Sequence, residues 1–123
     1  MDDKLKSIKK KNIKEIDLYN KKILLRTDYN VPLNSDTGQI SDDVRIRESL
    51  PTLQYLIKNQ CKILICSHLG RPKGKIIKEL SLFPIANRLS ALLNMQVELQ
   101  NIEDININNK DIKKITMLEN IRF

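Results

Sequence analysis

Glycine is scarce here, three residues in 123, and no Gly-x-Gly-x-x-Gly or Walker-type loop can be assembled from them. That excludes the familiar backbone cradles for a nucleotide phosphate chain. Aromatic residues make up only 4%, so the stacking platforms of single-strand nucleic-acid binders are missing and the core must be built from isoleucine, valine and leucine. No apolar run approaches the ~20 residues that cross a bilayer. The Lys-rich start leads into no apolar segment of the kind a signal peptide needs, and a cytosolic protein is expected. Cysteine occurs twice, as Cys61 and Cys66. Their odd separation on an expected strand sends them to opposite faces, which argues against a local disulfide. Two thiols fall short of a four-ligand zinc site, and the single histidine completes no Cys-His cluster. Both cysteines are expected as reduced thiols, with at least one in the core. The histidine has no evident nucleophile beside it, so no Ser-His-Asp or Cys-His arrangement is suggested.

What remains is an ordinary globular composition, 41% apolar, with a formal charge of +7. The length suits one domain, large enough to bury roughly two-thirds of its unfolded surface. A basic balance can signal a nucleic-acid or membrane partner. The excess does not form one stripe, however. Six lysines lie in the first fourteen residues, with Asp2 and Asp3 beside them, which reads as a solvated, frayed terminus. A small basic nucleic-acid-binding module stays as the rival reading from another class.

Four segments read as strands: 22–28, 62–67, 95–99 and 114–119. The apolar run in 62–67 suits a strand buried on both faces. Between them lie helical patterns. Ser41 is placed to cap a helix with Asp42 and Asp43 in its first turn. Ile46, Leu50, Leu53, Leu56 and Ile57 form its apolar face, and Pro51 should bend or split it. A second helix starts after Ser81, with Pro84 in the first turn, Ile85, Leu89, Leu92 and Leu93 inward, and Asn94 as a left-handed stop. Residues 101–111 are loop or short helix. Alternating strands and helices imply an α/β fold with parallel pairing, a three-layer αβα (Rossmann-like) sheet.

Ligands of such sheets sit beyond the carboxyl ends of the strands. Three strands here end in polar groups: Asp28, Tyr29 and Asn30; Ser67, His68, Leu69, Gly70 and Arg71; Glu119, Asn120 and Arg122. Arg45, in the first turn of the first helix, can lean over the same rim. Guanidinium forks match phosphate and carboxylate oxygens, and Asp28 or Asn30 would bond a hydroxyl. The expected ligand is small and carries phosphate, carboxylate and hydroxyl groups. Taken one at a time, each residue has a plainer reading: a solvated or Glu-paired arginine, a satisfied loop histidine, turn-forming Gly70 and Pro72.

The motifs add a second line of argument. Arg26-Thr27-Asp28-Tyr29-Asn30-Val31-Pro32, Asp43-Val44-Arg45-Ile46, Ser67-His68-Leu69-Gly70-Arg71-Pro72 and Leu118-Glu119-Asn120-Ile121-Arg122-Phe123 occur in the order in which similar motifs stand in phosphoglycerate kinases. The resemblance runs over nearly the whole chain. It implies a phosphotransferase of glycolysis that moves a phosphoryl group between 1,3-bisphosphoglycerate and ADP, giving 3-phosphoglycerate and ATP. It implies two domains, of which residues 1–123 are part of the N-terminal, 3-phosphoglycerate-binding one, with the nucleotide-binding domain absent. By motif, Arg45 is the catalytic residue. Asp28, Tyr29, Asn30, Arg45, His68, Leu69, Gly70, Arg71 and Arg122 are the substrate-binding set. ADP or ATP with Mg²⁺ is implied for the complete enzyme, taken to be a monomer without nucleic-acid or membrane partners. No nucleotide or metal is expected on this segment. Alone, the chain is expected to be inactive and at best marginally folded, because the strand at 22–28 would be left as a sheet edge.

Overall fold

The computed structural model describes residues 12–104 and 115–122. Four strands, β1 (Lys22–Arg26), β2 (Lys62–Cys66), β3 (Glu98–Gln100) and β4 (Ile115–Leu118), form one sheet. Its order is β1-β2-β4-β3 and every pairing is parallel. Two helices, α1 (Val44–Lys58) and α2 (Phe83–Leu93), connect the strands. The parallel α/β sheet expected from the alternation of elements is present.

Register sets which side chains meet. Ile63 lies beside Ile115, and Ile65 beside Met117, so these four project from one face. All four are buried, in one cluster with Ile46, Leu53 and Leu56 of α1 and Ile85, Ala86 and Leu89 of α2. Each such aliphatic side chain contributes ~1.5–3 kcal/mol of burial. The continuous apolar run at 62–67 pointed to burial on both faces, but β2 alternates: Lys62, Leu64 and Cys66 are only half-buried. The strand buried at every position is β4, between β2 and β3. On β1 the same outer face leaves Leu24 69% exposed.

Several element ends differ from expectation, each for a local reason. Ser41 does not cap α1; its hydroxyl donates to the Pro32 carbonyl at 3.1 Å and so belongs to the preceding loop. Asp42 and Asp43 lie just ahead of α1 rather than within its first turn. Asp42 Oδ1 accepts the Val44 N–H, while Asp43 holds Arg47 at 3.0 Å and Arg88 at 2.9 Å, tying α1 to α2. Hydrogen bonds from these guanidinium groups, Arg47 foremost, hold the Asp43 carboxyl below its usual range. The α1 helix runs unsplit through Pro51. The third strand begins later than residue 95 because the end of α2 claims the chain first. Asn94 takes the expected left-handed turn at φ 51°, Met95 N–H bonds the Ser90 carbonyl, and Val97 N–H bonds the Ser90 hydroxyl. Strand β1 stops at Arg26, two residues short of the expected end. Residues 102–104 form a single 3₁₀ turn. Residues 105–111, Lys114 and most of the N-terminal lysine run lie outside the described residues. Both cysteines are free thiols, Cys61 buried and Cys66 half-buried.

Pro51 is exposed and has no N–H to give the Arg47 carbonyl one turn back. Pro51→Ala should restore that bond and stabilise the chain by about 1–2 kcal/mol, less the entropy the proline removes from the unfolded state. The measurement is a urea melt, with a higher midpoint at unchanged slope expected.

Candidate functional site: a cationic rim at the strand ends

Strands β1, β2 and β4 are neighbours and parallel, so their carboxyl ends open on one edge of the sheet. The chain leaving each end is stitched to the next. Thr27 N–H bonds the Cys66 carbonyl at 3.0 Å, and Tyr29 N–H bonds the Ser67 hydroxyl at 2.9 Å. Ile121 N–H bonds the Ser67 carbonyl at 3.2 Å. Gly70 N–H donates to Asn30 Oδ1 at 2.9 Å, joining the loops after β1 and β2. Gly70 sits at φ 62°, and a Cβ there would come within 2.8 Å of Leu80 Cδ2. Both the left-handed backbone and the close approach of Leu80 favour glycine.

On this frame Arg45, from the first turn of α1, reaches back over the rim. Its guanidinium lies 2.9 Å from Asp28 Oδ1 and 3.0 Å from the Asn30 carbonyl. The pair is half-exposed or more on both sides, so it contributes at most ~1 kcal/mol. His68 shows how the cations gather. Partial burial, first, and then the Arg122 guanidinium hold its imidazole below the ordinary range. Arg26 and Arg45 act in the same direction, and Asp28 opposes them. Charges from β1 and the residues just after it, from α1 and from the turn after β4 therefore act on one point, the imidazole carried by the loop after β2.

The expected residues fall into three groups. Asp28, Asn30, Arg45, His68 and Arg122 come together. Arg71 is exposed on the same loop but is not among the charges felt by His68. Tyr29 and Leu69 point away: both are core residues, and only their backbones reach the rim. The Tyr29 hydroxyl is 2.7 Å from the Ser49 hydroxyl, and burial pushes the phenol pKa up. Arg26 was missed, although it directly precedes Thr27-Asp28 at the end of β1 and its position carried the signal. Glu119 and Asn120 also read as rim groups but turn inward. Glu119 accepts from the Ser81 hydroxyl and the Leu82 N–H at the start of α2, and Asn120 is buried. A cleft of about 310 Å³ borders the rim, lined by Arg26, Asp28, Arg45, Glu48 and Ser49 among others. A larger groove of about 790 Å³, between α2 and β3, includes none of the rim residues. Among the described residues no three metal-ligating side chains stand close enough to share an ion. Among them also, no helix is long and apolar enough to cross a membrane.

Known proteins resemble this chain in sequence and fold. A family model described as phosphoglycerate kinase matches residues 13–123. A phosphoglycerate kinase of Clostridium botulinum (strain Loch Maree) is 44% identical over 93% of this chain and 30% of its own length. One from Prochlorococcus marinus is 46% identical over 86% of this chain and 27% of its own. The solved structure of phosphoglycerate kinase from Coxiella burnetii superposes with a TM-score of 0.77 at 38% identity, over 90% of this chain and 28% of that one. This chain thus spans less than a third of the length of these relatives.

Two outcomes follow from the rim. Folding leaves His68 with a lower pKa than the unfolded chain, so the unfolded state binds more protons. Its stabilising contribution is complete above the ordinary histidine value and is lost as pH falls through the lower, folded one. Urea midpoints should therefore drop between neutral and mildly acidic pH, and the drop should be smaller in His68→Gln. Gly70→Ala should destabilise by about 1–2 kcal/mol from the left-handed backbone alone; Leu80, touched only at its flexible end, can move aside.

Proposed function

The chain belongs to the phosphoglycerate kinase family, and on that premise we propose that it is the 3-phosphoglycerate-holding part of a kinase that passes a phosphoryl group between 1,3-bisphosphoglycerate and ADP. The observation that carries the reading is the convergence of Arg26, Arg45, His68 and Arg122 on one edge, with Asp28 and Asn30 among them. A phosphate or carboxylate placed there meets guanidinium forks and an imidazole. Asp28 offers an exposed acceptor for a hydroxyl. Asn30 Oδ1 already accepts the Gly70 N–H, and Asp28 Oδ1 accepts from Arg45 and the Asn30 N–H, so Asp28 Oδ2 and the Asn30 amide nitrogen are the groups placed to meet a hydroxyl.

Arg45 is assigned the catalytic role. Its pairing with Asp28 is exposed and weak enough for an anion to compete for the guanidinium. Charge developing on a transferring phosphoryl would be met there by a donor already in place. His68, Arg71 and Arg122 are assigned to holding the rest of the substrate, with the backbone of Tyr29, Leu69 and Gly70 shaping the loops beneath them. ADP or ATP with Mg²⁺ would be met by groups outside this segment, and a cytoplasmic setting follows from the proposed place in glycolysis. The nucleic-acid alternative is not favoured by family membership, and the low aromatic content gives it no stacking surface.

The direct test is a titration of this chain with 3-phosphoglycerate and, separately, a random oligonucleotide at two salt concentrations. Saturable phosphoglycerate binding is expected. Tight oligonucleotide binding that collapses with salt, with no phosphoglycerate response, would sink the reading. In a protein of the relatives' length carrying this segment, Arg45→Ala should lower turnover by on the order of a hundredfold while changing substrate affinity much less. An unchanged turnover number with a raised substrate requirement would transfer Arg45 to the binding set.

A further inference from the structure

The two cationic halves of the rim are joined through a pair of residues that carry no positive charge. Asn120 is only 3% exposed. Its amide nitrogen donates to the Leu69 carbonyl at 2.8 Å and to the Leu80 carbonyl at 3.0 Å. Its amide oxygen accepts the Arg122 N–H at 3.1 Å. One side chain thus grips the loop that bears His68 and Arg71, the segment that closes against Gly70, and the backbone of Arg122. Beside it, Glu119 Oε1 accepts the N–H groups of Leu82 and Asn120, and Oε2 accepts the Ser81 hydroxyl at 2.7 Å.

We propose that Asn120, braced by Glu119, is a positioning residue that sets the spacing between Arg122 and the 68–71 loop. The Arg122 side chain is exposed and the chain there has left the strand, so its placement depends on its backbone anchors. These are the Asn120 amide, the Ser67 carbonyl bound by Ile121 N–H, and the Arg122 carbonyl bound by Gly74 N–H at 3.3 Å. Ser67 and Gly74 flank the 68–71 loop, whereas the Asn120 amide holds it from within, at the Leu69 carbonyl, and ties it to Leu80 as well. Removing its amide leaves the Leu69 and Leu80 carbonyls without that donor in an interior where an unmet carbonyl is costly, so the loop must shift to find another. The charges acting on His68 agree with this arrangement: Arg122 is the largest of them, ahead of Asp28 and Arg26 from the exit of β1 and Arg45 from α1. The proposal rests on the anion-binding reading for its functional meaning, but not for its geometry.

His68 is the only histidine in the chain, so its imidazole NMR signals report on this spacing without assignment ambiguity. The experiment follows those signals through a pH titration in the parent chain, Asn120→Ala, Asn120→Ser and a control on the far side of the core, Leu92→Ala. Each is then titrated with 3-phosphoglycerate. In both Asn120 variants the His68 pKa should rise toward the ordinary value, and affinity for 3-phosphoglycerate should weaken by about tenfold, the cost of one misplaced charge-assisted contact. Leu92→Ala should change neither. If the parent binds 3-phosphoglycerate and both Asn120 variants keep the parent pKa and affinity, the positioning role is overturned. Loss of cooperative folding in both Asn120 variants, with Leu92→Ala still folded, would overturn it too, by making Asn120 a core residue. A parent chain that ignores 3-phosphoglycerate while the Asn120 variants still shift the His68 pKa would support the positioning role and defeat only the substrate reading.

Discussion

Ser67 is 1% exposed and sits where β2 ends, between the exits of β1 and β4. Its hydroxyl accepts the Tyr29 N–H and its carbonyl accepts the Ile121 N–H. A parallel sheet brings three strand ends to one edge, but it does not by itself fix the loops that leave them. The two Ser67 bonds make that edge a single surface, and because Tyr29 and Ser67 are buried, losing the bond between them would leave a buried N–H unmet. The Asn30–Gly70 and Asn120–Leu69 bonds extend the same seam outward. Asp28, His68 and Arg122 stand on backbone held in this way, while Arg26 and Arg45 are carried by β1 and α1.

That arrangement lets the protein gather cations without placing them in the core. Arg26, Arg45, Arg71 and Arg122 all stay exposed, so their mutual repulsion is screened by solvent. Only His68 is partly withdrawn from water, and it meets the cost by holding its proton less tightly. Asp28 offsets some of the positive field at the point where Arg45 folds over the rim. The apolar residues of α1, α2 and the central strands pack on the other side of this surface, so a change to a rim arginine need not disturb them. Glycine is used in the same economical way: Gly70 stands where the backbone turns left-handed beneath Leu80.

Much of the fold could be read from the chain because its signals are local. Ile63 and Ile65, the spacing of Ile46, Leu53 and Leu56, and the Asn94 stop each reflect the geometry of one strand or one helix. The element boundaries that moved were those where a group outside the element competed. Ser41 was drawn to the Pro32 carbonyl, Met95 to Val97 were held by the end of α2, and Glu119 was drawn to the start of α2. The rim's membership was largely visible, since Asp28, His68 and Arg122 follow strands and parallel strands point one way. Arg26 ends β1 directly before Thr27-Asp28, and its place at the rim follows from the same rule.

The order β1-β2-β4-β3, by contrast, is a tertiary fact: nothing local tells β4 to enter between β2 and β3. That insertion brings Arg122 next to His68 and makes Asn120 a buried link rather than a surface polar residue. It also decides that Tyr29 and Leu69, which stand inside the motifs, face the core. Sequence by itself determined which residues stand at the strand ends, because strand direction and side-chain period are properties of a short segment. Which of those residues face one another was settled only by packing, because a hydrogen bond between residues 69 and 120 depends on every element between them.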